Sequence, residues 1–165
     1  MDDSKVNLRA VHLDGESLVA GVATTTVDAS VEECASYEFC SLYSRKFKRS
    51  ARDRGITDMT VKRINDHSLY YLTTRDIGVP GFAEREFRTK VTWQKDEHGR
   101  VMLDFSDTTD CDGIHPVKPQ SIVAEQHTVW YFETLPPKGD VPQTKVVFAT
   151  KVDLSGAMPS RVMNR

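Results

Sequence analysis

The first apolar pattern along the chain has a period of two. Two β-type runs, residues 6–13 and 17–27, flank Asp14-Gly15. That pair suits a type I′ hairpin turn, because glycine takes positive φ at no steric cost. The period then changes. Ser30-Val31-Glu32-Glu33 has the form of a capping box, in which the Ser30 hydroxyl takes the amide of the third helical residue and Glu33 reaches back. Beyond it Val31, Cys34, Ala35, Phe39, Leu42, Tyr43 and Phe47 recur at steps of three and four. This stripe predicts one long amphipathic helix that stops at Gly55, about 36 Å at 1.5 Å per residue.

Period two returns after Asp58. Residues 59–64, 68–74, 83–94, 100–107, 121–135 and 143–154 read as six strands. Val79-Pro80-Gly81-Phe82 places Pro and Gly where a type II turn needs them, and Pro136-Pro137-Lys138-Gly139-Asp140 reads as another turn. Short connections between consecutive strands predict antiparallel pairing. The expected fold is α+β: a curved antiparallel sheet with a long helix after the first hairpin. One helix is little cover for such a sheet. Residues 155–165 look like a second helix about to begin, with Pro159 in its first turn, so the grip is expected to be open on one side.

Alternation sorts the strand residues into faces. Arg85, Phe87, Thr89, Val91 and Trp93 share one face, while Glu84, Glu86, Arg88 and Lys90 are expected on the wet one. Ala124, Thr128, Trp130 and Phe132 extend the apolar face on a second strand, and Val146 and Phe148 on a third. Any one of these large apolar residues fits an ordinary packed core. Arg85 is different. An arginine on an apolar face must meet an anion or carbonyl groups, so it either holds a polar ligand head or makes a structural contact.

The 165 residues carry 22 Lys+Arg against 24 Asp+Glu, a net charge of −2. That balance argues against a dedicated nucleic-acid binder. No run is long and apolar enough for a membrane span, and the acidic start lacks a secretory core. Cys34, Cys40 and Cys111 form no disulfide or metal pattern, which fits a reducing, cytoplasmic setting. Arg45, Lys46, Lys48, Arg49 and Arg52 cluster near the helix end, where they suit the dipole and would also attract an anionic membrane surface. Asp104, Asp107, Asp110 and Asp112 lack the register of a calcium loop, so no metal is expected. Enzyme signatures are absent. Glu125 and His127 could form an acid/base pair, but on a face that reads as outward.

Three segments carry a family resemblance. They are residues 144–159 with Val162-Met163-Asn164, then Pro80-Gly81 to Arg85-Glu86-Phe87, and His115-Pro116 followed by Ile122-Val123-Ala124-Glu125. In this order and spacing the chain resembles the steroidogenic acute regulatory protein-related lipid transfer (START) domain over nearly its whole length. The resemblance implies a single domain, residues 1–165, with a hollow helix-grip fold whose C-terminal lid helix is truncated. It also implies non-covalent binding of a lipid or sterol-like small molecule, with no cofactor, and transient membrane contact through the basic cluster. This apolar wall would then line the cavity, with Arg85 at the polar end of the ligand. Cholesterol-binding members carry a second basic residue where this chain has Val91, which weakens cholesterol as the ligand. An enzyme of the same hollow fold, hydrolase or cyclase, and a regulatory module that holds a partner helix are the competing expectations.

Overall fold

The structure, a computed structural model, describes residues 6–12 and 18–156. Eight strands form one sheet: β1 (Asn7–His12), β2 (Val19–Val27), β3 (Ile56–Arg63), β4 (Ser68–Arg75), β5 (Arg85–Lys95), β6 (Val101–Asp107), β7 (Ile122–Lys138) and β8 (Val141–Asp153). Their order across the sheet is β1-β2-β8-β7-β6-β5-β4-β3, so β3 to β8 are a meander and β2 adds to its last strand. All neighbours are antiparallel. One short parallel contact, Arg85–Phe87 of β5 against Ile122–Ala124 of β7, curls the sheet where β6 has ended. The Asp14-Gly15 turn and residues 157–165 lie outside the described residues.

The capping box forms as expected: Glu33 N–H donates to Ser30 Oγ (3.2 Å) and Ser30 N–H to Glu33 Oε2 (2.8 Å). The single long helix does not. The span divides into α1 (Val31–Ser41), α2 (Arg45–Ser50) and a 3₁₀ turn, Arg52–Arg54. Ser44 causes the break. Its backbone is extended and its side chain accepts from Phe47 N–H at 3.0 Å, capping a new helix in the middle of the stripe. Spacing alone misses this because Phe47 still faces inward, edge-on to Tyr71 at 6.2 Å. Gly55 does end the span. Its φ is +72°, and a Cβ there would lie 2.7 Å from the Asp76 carbonyl, so only glycine fits. Gly81, at φ +83° with Phe82 N–H donating to Val79 O, makes the type II turn. The expected turn at Pro136 and Pro137 is instead the end of β7, and the chain reverses at Gly139-Asp140.

The inner face of the sheet is the one α1 covers. Val31, Ala35 and Leu42 of the helix meet Leu69, Val91, Leu103, Phe132 and Val146 of the strands in one core.

Candidate functional site

Alternation and register place all ten expected wall residues on the inner face. Their surroundings differ. Val91, Phe132 and Val146 are sealed in the core, and Trp130 packs against it, 4.6 Å from the Phe148 ring. Phe87 and Ala124 are buried side by side in the parallel β5–β7 contact. Thr128 shares a hydrogen bond of 2.7 Å with the Thr150 hydroxyl, which satisfies both on this apolar wall. Of the ten, Trp93 lines a cavity under α1 and Phe148 a groove over β1, β2 and β8.

Trp93 faces a cavity of about 740 Å³ between α1 and the sheet. Ala35, Phe39 and Tyr43 of α1 form one side, and Trp93, Val101 and Leu103 the other. Trp93 is fixed by Nε1 donating to Asp66 O (3.0 Å) and by the His67 ring at 4.4 Å. At the rim, Lys95 of β5 pairs with Glu32 of α1 (2.7 Å), which ties helix to sheet and holds the Glu32 carboxyl below its ordinary pKa. Phe148 faces a second space, a shallow groove of about 330 Å³ over β1, β2 and β8. Small residues, Ala10, Gly21 and Ala23, leave it room, and Leu8 on its edge is 78% exposed. Val101 and Leu103 were not singled out from the sequence, although their alternation with Phe105 carried the signal.

Arg85 is 1% exposed and bound to backbone oxygens. Nε donates to Leu154 O (2.5 Å), Nη1 to Ala83 O (2.6 Å) and Nη2 to Ser155 O (3.3 Å). It therefore clamps the end of β8 to the start of β5. Neighbouring charges behave differently. Glu86 and Arg88, expected on a wet face, are 5% and 4% exposed. The segment between β6 and β7 folds over them, and Arg88 holds it through Glu86, Asp112 (2.9 Å) and the His115 carbonyl. Burial works against the Arg88 charge, but Glu86 and its other anionic neighbours raise its pKa overall.

The four aspartates near residue 107 serve separate partners: Asp104 meets His127, Asp107 takes the Gln126 amide, Asp110 meets Lys90 and Asp112 meets Arg88. His127 thus pairs across strands with Asp104 (2.8 Å), and Glu125 and His127 both face solvent. Arg45, Lys46, Lys48, Arg49 and Arg52 are all exposed, and none joins an ion pair among the described residues. No described helix is long and apolar enough to cross a membrane.

No family model matches the chain. No curated protein matches it in sequence. Solved structures do match in fold. A STAR-related lipid transfer protein from Xanthomonas axonopodis superposes with a TM-score of 0.73 at 13% identity, over 99% of this chain and 85% of that one. Human StAR-related lipid transfer protein 5 gives 0.69 at 18% identity, over 98% and 74%. The lipid transfer and protein localization domain of human StarD13 gives 0.67 at 15%, over 99% and 78%. The chain has the START helix-grip fold, as the eight-strand curved sheet and its inner helices require.

Proposed function

We propose that this chain binds a lipid or other apolar small molecule non-covalently inside the grip. The observation that carries this is the cavity of about 740 Å³ between α1 and the sheet, walled by Phe39, Tyr43, Trp93 and Leu103. Ligand sites are commonly about 300–1,000 Å³, mostly apolar with a few polar groups, and this one has that size and lining. The fold it shares with lipid transfer proteins supports the same reading. Burial supplies the affinity, at about 25 cal/mol for each Å² of apolar ligand surface removed from water. The chemistry needed is exclusion of water, and the charged groups at the cavity's rim pair with one another, Glu32 with Lys95 and Asp66 with Arg63.

Transfer between membranes would require docking. The exposed bases Arg45, Lys46, Lys48, Arg49 and Arg52 supply an attraction to anionic headgroups, on the order of 1 kcal/mol each near the surface.

The test is native mass spectrometry of gently purified protein, followed by organic extraction. An added mass that disappears on extraction, and returns on incubation with mixed-lipid vesicles, is the expected result. A clean protein mass with no uptake from the vesicles would overturn the proposal.

A further inference from the structure

The cavity under α1 has a floor and a mouth of different chemistry, and the period of the helix separates them. Ala35 and Phe39 face the floor, where Trp93, Val101 and Leu103 close it from the sheet. Glu32, Ser36 and Cys40 follow one another at steps of four, so they share the neighbouring stripe of α1 and line the mouth. Tyr43, just past the helix cap at Leu42, continues that line. From Glu32 to Tyr43 the stripe is about 16 Å long, at 1.5 Å per residue.

Each end of the mouth carries one ion pair. Lys95 Nζ meets Glu32 Oε1 at 2.7 Å, and Arg63 meets Asp66. The second pair lies at the Tyr43 end, where the Arg63 charge acts on the phenol. Two cations are thus balanced by two carboxylates, and the mouth offers no net charge to a ligand head. Between the pairs, the Ser36 and Tyr43 hydroxyls make no hydrogen bond among the described residues. Burial raises the pKa of the Tyr43 phenol while Arg63 opposes the rise, so at neutral pH it is an uncharged donor and acceptor.

An ionised head entering this mouth would find no free cation, would meet the Glu32 and Asp66 carboxylates, and would give up part of its hydration. A hydroxyl or ester head gives up less, and a free hydroxyl of the chain can replace the water it loses. We propose that the cavity takes an apolar-tailed ligand with an uncharged alcohol or ester head, which rests in the mouth between Glu32 and Tyr43 with its tail on the floor. This rests on the reading that the grip binds an apolar ligand, and it names the head that such a ligand carries.

The test titrates dodecanol, methyl dodecanoate and dodecanoic acid into the full chain at neutral pH, each below the concentration at which it aggregates. The alcohol and the ester are expected to bind about tenfold tighter than the acid, which is ionised at that pH. Any apolar site ranks a neutral head above a charged one to some degree, so two charge variants locate the head. Glu32→Gln leaves Lys95 without its partner and should cut the alcohol-over-acid ratio to about threefold or less. Lys95→Met leaves Glu32 uncompensated and should widen the ratio several-fold. Both side chains of this pair are largely exposed, 45% for Lys95 and 65% for Glu32, so neither variant threatens the fold. Opposite movements of the ratio in the two variants support the proposal. A ratio that stays the same in both overturns it, because the head then lies away from the mouth. Tighter binding of the acid to the unaltered chain also overturns it, while the apolar-ligand reading stands. Binding of none of the three overturns it too, and uptake from mixed-lipid vesicles then decides the apolar-ligand reading separately.

Discussion

Two faces of one strand handle buried arginine in opposite ways. On the outer face of β5, Arg88 is surrounded by acceptors: the carboxylates of Glu86 and Asp112 and the carbonyl of His115. On the inner face, Arg85 meets only carbonyls, and Arg75 opposite has an unpartnered Nε. The first arrangement is neutralised and closed, and it can do little but hold the segment between β6 and β7 in place. The second retains positive charge, with Arg85 buried and Arg75 part-buried at the end of β4.

The comparison breaks most visibly at Arg88. Arg88→Ala would leave the buried Glu86 carboxylate without its cation and would release the segment over it, so a loss of about 3–5 kcal/mol is expected in urea unfolding. A loss under about 1 kcal/mol would mean that the outer face is not closed by this network. Arg85→Met should cost less, about 1–2 kcal/mol, because carbonyls can turn to water and a repelling charge is removed with the clamp. Its signature is local: hydrogen exchange should quicken at residues 151–156 and leave β6 unaffected. If exchange quickens evenly over the sheet, Arg85 is a general core residue rather than a clamp on β8.

These contrasts also show what the sequence can and cannot carry. Alternation placed the wall residues on the right face, since period two is a property of each strand alone. The same alternation put Arg88 on the wet side. It had no means of seeing the distant segment that folds over it. Arg75 escaped notice for a related reason: in Leu72-Thr73-Thr74-Arg75 the threonines read as ordinary strand formers. Only the β4–β5 register brings Arg75 opposite Arg85. Arg85 itself was legible as an exception on an apolar face, with its two resolutions left open. The carbonyls of Leu154 and Ser155, some seventy residues away, decide between them.

The helix break offers a smaller test of the inner face. Ser44→Ala removes the cap of α2 and should cost about 1 kcal/mol in thermal or urea unfolding. The basic cluster would then lose its helical frame while the cavity under α1 keeps its lining. Vesicle binding should therefore weaken with ligand uptake unchanged. Uptake that falls in step would show that α2 shapes the cavity as well as the charged surface.

Glu38→Gln is the smallest expected change and the one that speaks to the inner charges directly. Glu38 lies half-buried on α1; burial raises its pKa, and Arg54 opposes the rise. An acid whose folded-state pKa is raised weakens the fold wherever it is ionised in both states. That penalty is complete above the raised value and is gone below the unfolded value, near the ordinary 4.5. Glu38→Gln should therefore stabilise the chain slightly at neutral pH, and the gain should close as pH falls toward 4.5. A gain that persists at lower pH would point to packing rather than charge. A loss at neutral pH would show that Arg54 depends on Glu38, so that the cations of the inner face are better compensated than the contrast with Arg88 requires.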